Sequence, residues 1–426
     1  MSKLSQPAKT PVAKPAKTLA AEPTGPLKNI RIIDLTGLIF GAYATQMLGD
    51  LGADVIKIEA PATEDDPGGD IVRWNGPSPG GTSTGLGPLF MPVNRNKRSV
   101  LLDLKKPKPR AALFKLIEPA DIFISTIRYG ALERLGLSYE EIRTVKPDII
   151  YIHGAGYGAG GAYANLPAYD DLMQAASGMA DLLPRTDGDP APRYLPTIIA
   201  DKVSGMQMAN AALAALVHRG QTGEGQFIEV PMFETTTAFL LTEHLYGHVF
   251  DPPTGDWGYS RALSPDRRPY QTKDGYIAIL SYTDKQWDAF FELAGRPGFR
   301  QEDPRFTTYQ ARAAHVDELY AMIESFTITK TTAQWLELLR GRDIPAMPVN
   351  RLDQLMDDPH LQSIGFFAPY DHPVQGRYYN MPCPVKFAAS PASIHRHAPV
   401  LGADTYDVLR EAGLSEAEID DALGQN

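Results

Sequence analysis

The fold is decided by a stretch near the start of the chain, NIRIIDLTGLIFGAYATQMLGDLGADVIKIE (residues 29–59). It opens with an apolar run at 29–35 that predicts a buried strand, and a helical spacing of apolar residues follows at 42–51. A second apolar run, at 53–59, predicts another strand. A strand, a helix and a strand in this order form a βαβ unit with parallel strands. The stretch therefore predicts an α/β fold with a doubly wound, Rossmann-like sheet.

The same alternation continues along the first half of the chain. Further strands are predicted at 99–104, 121–125, 149–153 and 227–231, with helical segments between them. We therefore assign residues 27–250 to the N-terminal part of one large domain.

The pattern changes after residue 250. Residues 251–345 combine an irregular connection, one strand and three helical segments, which predicts a smaller α+β domain. Residues 346–426 are predicted to return to the large domain. Residues 1–26 are rich in Ala, Lys and Pro and lack the apolar segment of a secretory signal, so we expect a disordered, solvated tail.

Composition excludes several classes of function. The net charge of −10 argues against a nucleic-acid partner, because phosphate binding needs a basic surface. No run of about 18 apolar residues predicts a membrane span. The single cysteine, Cys383, allows no disulfide within the chain, and a reducing, cytoplasmic location follows. The nine histidines show no zinc-binding spacing, so no metal is expected.

A glycine-rich segment, GYGAGG (residues 156–161), follows the strand predicted at 149–153. It matches GxGxxG, but a dinucleotide fingerprint must open a helix, and here Asn165, Leu166 and Pro167 follow instead. We interpret the segment as a mobile loop beside a functional site, with plain turn chemistry as the alternative.

Two adjacent acids, Asp170 and Asp171, follow this loop and open an apolar helical segment. On pattern alone they are typical of a helix N-cap with a first-turn charge. A carboxylate at a helix start is also surrounded by N–H donors and exposed to ligands, so it can attack a carbonyl carbon. The residues leave both interpretations open.

Motifs spread over nearly the whole chain carry a family resemblance. They are DLT (34–36), TQMLGDLGADVIKIE (45–59), NKRSVLLDLK (96–105), GALERLG (130–136), YD (169–170) with QAASG (174–178), DPHL (358–361) and APVLG (398–402). In this order they resemble the class III CoA-transferases, a family that includes formyl-CoA transferase, carnitine CoA-transferase and the α-methylacyl-CoA racemases.

The resemblance implies a nucleophile and its substrates. The family's catalytic aspartate falls on Asp170, which would attack an acyl-CoA donor and form an aspartyl-CoA thioester. A carboxylic acid acceptor would then receive coenzyme A, which is a substrate. The family's known architecture further implies an interlocked homodimer, in which two ring-shaped subunits thread through each other.

The resemblance also implies a set of contacts to coenzyme A. Leu102 and Lys105 match adenine and phosphate contacts, and Arg134 matches a further phosphate contact. The remaining residues of the set are Lys97, Arg98, Leu38, Thr126, Gly156 and Tyr157. The chain departs from the family at Ala60 and Ala155, where formyl-CoA transferase has basic residues. It also departs at Ile39 and Phe40, which favour a larger or more apolar acyl group than formyl or oxalyl.

Two alternatives to transfer remain open in the sequence. A racemase or epimerase would use Asp170 as one half of an acid/base pair, and His153 is the only histidine near it in the sequence. A non-catalytic CoA-binding relative would not need the carboxylate of Asp170. The aromatic residues Tyr246 and Tyr259 are predicted either to line an acyl pocket or to pack between domains.

Overall fold

The computed structural model describes residues 16–424, which form two compact units. Unit 1 comprises the described residues up to Met173 together with Thr197–Thr236 and the chain from Pro359 onward. Unit 2 comprises Gln174–Pro196 and Thr237–Asp358. These limits differ from the predicted limits of 251 and 345, and unit 2 takes an additional segment from the middle of the predicted large domain.

A six-stranded sheet forms the centre of unit 1. Its strands are β1 (Arg31–Leu35), β2 (Asp54–Glu59), β3 (Lys97–Leu101), β4 (Ile122–Ser125), β5 (Ile150–Ala155) and β6 (Phe227–Pro231). All neighbouring pairs are parallel, in the order β3-β2-β1-β4-β5-β6. The prediction of an α/β fold is confirmed, and this order is that of a dinucleotide-type doubly wound sheet.

Helices lie between and after these strands. They are α1 (Phe40–Asp50), α2 (Phe90–Asn94), α3 (Pro107–Ile117), α4 (Tyr129–Arg134), α5 (Tyr139–Val145), α6 (Asp170–Ala176), α7 (Leu182–Asp187), α8 (Ile199–Thr222), α9 (Met232–His244) and α10 (Ser260–Leu263). Short 3₁₀ helices span Ile71–Trp74, Thr82–Thr84, Met179–Asp181 and Tyr246–Val249.

Apolar side chains cover both faces of the sheet, which explains its continuous Val and Ile runs. On one face Ile33 and Phe123 pack with Leu113 and Leu116 of α3. On the other face Ile32 and Ile124 pack with residues of α1 and α8. In such a sheet ligands bind at the carboxyl ends of the strands, where the strand order reverses. Here that position lies between β1 and β4.

Unit 2 has its own core around a small antiparallel sheet. The strands are β7 (Tyr270–Gln271), β8 (Tyr276–Ile279) and β9 (Ala346–Pro348). Besides α7 and α10, unit 2 contains the helices α11 (Asp284–Leu293), α12 (Phe299–Glu302), α13 (Tyr309–Ala314), α14 (Val316–Thr327) and α15 (Thr332–Arg340), and a 3₁₀ helix spans Leu352–Asp357. Trp335 and Phe290 are fully buried here. Capping boxes at Thr283 and Thr331 fix where α11 and α15 begin.

The C-terminal part of unit 1 covers the outer edge of β3. It contains α16 (Pro359–Ser363), β10 (Ala368–His372), β11 (Gly376–Asn380), α17 (Thr405–Glu411) and α18 (Glu416–Leu423). The Ser99 N–H donates to Asp404 Oδ2 (2.9 Å), and the Leu101 N–H donates to Thr405 Oγ1 (3.0 Å). The edge strand of the sheet therefore has partners from the end of the chain.

The predicted tail is only partly described. Residues 1–15 lie outside the described residues. Within 16–26, the Lys17 N–H donates to the Pro369 carbonyl (2.7 Å), and the Ala20 N–H donates to the Ile394 carbonyl (3.0 Å). These bonds attach residues 16–26 to unit 1, so this part is not the solvated coil that we expected.

Candidate active site

A cleft of about 430 Å³ lies at the carboxyl ends of β1, β2 and β3. Its lining residues are Leu35–Leu38, Lys57–Ala60, Gly69–Ile71, Leu102–Lys105, Ile127 and Leu135. Three predicted contacts to coenzyme A meet here, namely Leu38, Leu102 and Lys105. Leu102 is buried in the wall, whereas Leu38 and Lys105 are exposed. The cleft therefore offers apolar surface and one exposed ammonium group.

Buried ion pairs support the loop that carries Leu38. Leu38 has a left-handed backbone (φ 58°), and its N–H donates to Asp70 Oδ1 at 3.1 Å. Lys57 Nζ lies 3.1 Å from Asp70 Oδ2 and donates to the Thr36 carbonyl at 2.7 Å. Burial alone would lower the pKa of Lys57, but the carboxylates of Asp70 and Asp34 outweigh it, so the pKa is raised.

Lys97 and Arg98 do not reach the cleft. The Lys97 side chain is fully buried, lies 3.1 Å from Asp34 Oδ2 and donates to the Ala42 carbonyl. Burial lowers its pKa to about 8, against the attraction of Asp34. Arg98 forms ion pairs with Asp54 (2.6 Å) and Glu411 (2.8 Å). Both residues therefore stabilise the interior, and the structure does not support them as phosphate contacts.

The other predicted contacts lie near strand ends. Arg134 is the last residue of α4 and is exposed, and the next residue, Leu135, lines the cleft. Thr126 directly follows β4, and its Oγ1 accepts a hydrogen bond from the Gly37 N–H at 3.4 Å. Ile39 and Phe40 pack into apolar clusters with 8% and 6% exposure, so they do not support the predicted preference for a larger acyl group.

Asp170 is the first residue of α6 and is half-buried. Its Oδ1 accepts a hydrogen bond from the backbone N–H of Asp201, in the first turn of α8, at 3.1 Å. Burial, and then the neighbouring carboxylate of Asp170, raise the pKa of Asp201 to about 7. The sequence analysis missed Asp201, because an acid in the first turn of a long helix is ordinary.

The glycine-rich segment is held by side chains of β6 and α9. The N–H of Gly158 donates to Glu234 Oε1 (2.9 Å), and that of Ala159 donates to Glu229 Oε1 (2.7 Å). The segment follows β5 without opening a helix, since α6 begins only at Asp170. The rejection of a dinucleotide fingerprint is therefore confirmed.

Gly156 and Tyr157 are packed tightly at the start of this segment. A Cβ atom on Gly156 would lie 2.2 Å from the Cβ of Ala168, two residues before Asp170. The ring of Tyr157 packs on Tyr163 and Phe233, with centroid distances of 5.5 and 5.6 Å. The glycine-rich segment therefore packs against Ala168, which shortly precedes Asp170 in the chain.

His153 lies within β5 and is held at its ring. Nε2 is hydrogen-bonded to the Ile127 carbonyl at 3.0 Å, and the ring packs edge-on against Tyr129 with a centroid distance of 5.3 Å. Burial lowers its pKa. These contacts give His153 a structural role and provide no support for the racemase alternative.

The fold and the site define a class of protein. A doubly wound sheet with a ligand cleft at its strand ends, together with an aspartate at a helix start beside a glycine-rich segment, is typical of an α/β enzyme that binds a nucleotide-containing substrate. Within residues 16–424 no group of three or more acidic, histidine or cysteine side chains is arranged to hold a metal ion. Over the same residues no helix has the length and apolarity to cross a membrane.

Comparisons with known proteins identify the family. The model of CoA-transferase family III matches residues 27–405. The succinyl-CoA:mesaconate CoA-transferase of Haloarcula marismortui is 31% identical over 397 residues, which cover 92% of this chain and 97% of that protein. The succinyl-CoA:glutarate CoA-transferase of Mus musculus is 30% identical over 387 residues, covering 91% and 86%.

A solved structure agrees with these relatives. The crystal structure of the protein Rv3272 from Mycobacterium tuberculosis superposes with a TM-score of 0.77 at 29% identity, covering 91% of this chain and 100% of that one. The chain belongs to CoA-transferase family III, so the resemblance drawn from the motifs is confirmed and the protein is a CoA-transferase.

Proposed function

We propose that the protein transfers coenzyme A from an acyl-CoA donor to a carboxylic acid through an aspartyl-CoA thioester on Asp170. The observation that carries the proposal is that Asp170, the first residue of α6, accepts a hydrogen bond at Oδ1 from the backbone N–H of Asp201 in α8. This contact orients a carboxylate at a helix N-terminus, beside a glycine-rich segment, in a chain of this family.

The chemistry needs no proton transfer. A carboxylate oxygen of Asp170 attacks the thioester carbon, the C–S bond breaks, and a mixed anhydride and CoA thiolate form. The thiolate attacks the aspartyl carbonyl, which releases the donor acid and leaves the aspartyl-CoA thioester. The acceptor carboxylate repeats both steps in reverse and regenerates Asp170. When the aspartyl carbonyl is attacked, the Asp201 N–H is a donor for the oxyanion that develops on its oxygen.

Both intermediates hydrolyse in water, so the site must exclude it. We assign this role to the glycine-rich segment 156–161, which Glu229 and Glu234 hold through backbone N–H groups. Within the segment, the aromatic ring of Tyr157 packs against Phe233. The segment is the part of the site that would close over a bound thioester.

We propose that the cleft at the ends of β1, β2 and β3 binds the nucleotide part of coenzyme A. Leu38 and Leu102 supply apolar surface for adenine, and the exposed ammonium of Lys105 pairs with a phosphate. Arg134 and Thr126 lie near the same edge of the sheet and complete this set. The apolar walls and the exposed cation at the cleft fit a molecule with one flat base and several phosphates.

Succinyl-CoA is the first donor to test. The names of the relatives from Haloarcula marismortui and Mus musculus both specify succinyl-CoA together with a dicarboxylic acid. We propose that this protein uses a donor and an acceptor of the same class, in the cytoplasm and as an interlocked homodimer. Equilibrium sedimentation that gives a stable monomer would contradict the dimer.

Mass spectrometry of the protein incubated with a panel of acyl-CoAs tests the mechanism. Borohydride or hydroxylamine traps the intermediate, and we expect an adduct on the peptide that contains Asp170. The adduct should be absent from Asp170→Ala and present in Asp171→Ala, whose side chain is exposed in the neighbouring position. No adduct, together with deuterium exchange at the α-carbon of the acyl group, would refute transfer in favour of racemisation.

A further inference from the structure

Unit 2 contains a separate cavity of about 290 Å³. Its lining residues are Tyr246, Tyr259, Ser260, Arg261, Ser281, Tyr282, Trp287, Tyr309, Arg312, Ala313, Val316, Leu319 and Tyr320. All of them belong to unit 2, whereas Asp170 and the cleft for coenzyme A belong to unit 1. The cavity is at the lower limit of ligand pockets, so it suits a small molecule.

Arg261 gives this cavity a positive charge without a matching acid. Its Nε donates to the Tyr320 hydroxyl at 2.8 Å, and the Tyr259 hydroxyl is a further partner. No aspartate or glutamate is among the lining residues. The second guanidinium, on Arg312, already has an acid partner in Asp284 and also donates to the Phe306 carbonyl. Arg261 is therefore the group that is left to bind an anion.

Ser281 supplies an independent sign of a ligand. The residue is 7% exposed and lines the cavity, and among the described residues its Oγ has no hydrogen-bond partner. A buried hydroxyl without a partner destabilises the folded state. A ligand with an oxygen atom at this place would satisfy it.

Aromatic rings form much of the remaining surface. Trp287 is 4% exposed and lies in the wall, whereas Tyr282 and Tyr309 are about half exposed, with their ring centroids 5.9 Å apart. Such rings offer flat apolar faces and edges to a planar ligand. The cavity therefore combines a single uncompensated cation, an unpaired hydroxyl and aromatic walls.

We propose that this cavity binds an aromatic monocarboxylic acid. The carboxylate accepts hydrogen bonds from the Arg261 guanidinium and the Ser281 hydroxyl, and the ring packs against Trp287 and the neighbouring tyrosines. One uncompensated guanidinium matches one carboxylate, which selects a monoacid over a diacid or a phosphate ester. The proposal does not depend on transfer at Asp170, because its test measures binding alone.

Isothermal titration of the full-length protein with sodium benzoate, in the absence of any acyl-CoA, tests it. We expect a Kd of about 1 mM or below, with benzamide at least about tenfold weaker because it lacks the charge. Equal binding of benzamide and benzoate, or a benzoate Kd far above this range, would overturn the proposal.

Two variants locate the binding. Arg261→Gln should weaken benzoate by at least about tenfold, since the charged partner is lost. Ser281→Leu should weaken it as well, because the larger side chain fills the cavity. Arg267→Gln is the matched control, since Arg267 is exposed on the same segment and does not line the cavity. Thermal unfolding verifies that each variant is folded. Unchanged benzoate binding in a folded Arg261→Gln or Ser281→Leu variant would refute the site.

Discussion

Two regions of unit 1 treat buried charge in opposite ways. Beneath the cleft, the buried ion cluster (Asp34, Lys57, Glu59, Asp70, Arg73 and Lys97) gives each carboxylate a cation at 2.6–3.1 Å. At the carboxyl pair (Asp170 and Asp201), burial and then the negative charge of Asp170 raise the pKa of Asp201 to about 7.

The two regions differ in role: the buried ion cluster stabilises the shape of the cleft, whereas the carboxyl pair includes the proposed nucleophile. Buried ion pairs are costly to break, and here they fix the positions of the strands and loops that form the cleft. The raised pKa of Asp201 has burial as its main cause, and a strongly shifted pKa beside a second acid is typical of a reactive site. The predictions below alter each region in turn.

The largest effect is expected from Lys57→Met in the buried ion cluster. The change leaves the carboxylates of Asp70 and Asp34 buried without this cation, so the free energy of unfolding should fall by about 3–5 kcal/mol. Denaturant unfolding measures it. The matched control is Lys115→Met, which removes an exposed pair with Glu118 and should cost less than about 1 kcal/mol. Equal effects of the two changes would show that burial of the cluster does not matter.

Asp201→Asn should change how stability depends on pH. The folded-state pKa of Asp201, about 7, is above its ordinary value of 3.8. Between pH 3.8 and about pH 7 the folded state therefore keeps this proton while the unfolded state loses it. The contribution of Asp201 to stability falls as the pH rises through this range and is constant above it. The Asn variant lacks this fall. Between pH 4 and pH 8, its free energy of unfolding should therefore rise by roughly 2–4 kcal/mol relative to that of the unmodified protein.

Denaturant unfolding of the Asp201→Asn variant at several pH values measures this gain. Asp171→Asn is the control, because Asp171 is an exposed acid in the first turn of α6. A constant difference between Asp201→Asn and the unmodified protein at all pH values would show that the pKa of Asp201 is not raised in the folded state.

Gly156→Ala should reduce turnover with little loss of fold. Its added Cβ would meet the Cβ of Ala168 at 2.2 Å, so the residues that lead to Asp170 must shift. Displacement of a nucleophile by about 1 Å costs about 10- to 100-fold in kcat. Adding Ala168→Gly in the same protein removes the clash and should restore kcat. A double variant that stays as slow as the single one would contradict this explanation.

The smallest effect is expected from Lys105→Ala at the mouth of the cleft. Loss of one exposed charge-assisted contact should raise the Kd for coenzyme A by about 5- to 10-fold, and less at high salt. Titration calorimetry at two salt concentrations measures it. Lys108→Ala is the control, because Lys108 pairs with Asp421 and does not line the cleft. If the two variants bind coenzyme A with the same Kd, Lys105 does not contact coenzyme A.

The sequence predicts well what depends on local pattern. The apolar runs at 29–35 and 53–59 became β1 and β2, and the helix between them became α1. The hairpin of β10 and β11 was missed, because Pro369, Gly376 and the two charged residues Asp371 and Arg377 interrupt its apolar pattern.

The sequence predicts poorly what depends on distant partners. Lys97 and Arg98 looked like phosphate contacts, and only the fold shows that Asp34, Asp54 and Glu411 neutralise them. Asp201 was missed for the same reason, since its contact with Asp170 spans a long stretch of chain. The pairing of charges follows from tertiary structure, and it decides which ionisable residues are available for binding.

The covering of β3 by the end of the chain has a consequence for synthesis on the ribosome. All six strands of the main sheet are complete at Pro231, but the groups that bond to the open edge of β3, at Asp404 and Thr405, are translated about 170 residues later. Until then the nascent chain presents an unprotected strand edge, which is a template for pairing with other chains. Premature termination before this segment should therefore yield aggregates rather than a smaller folded enzyme.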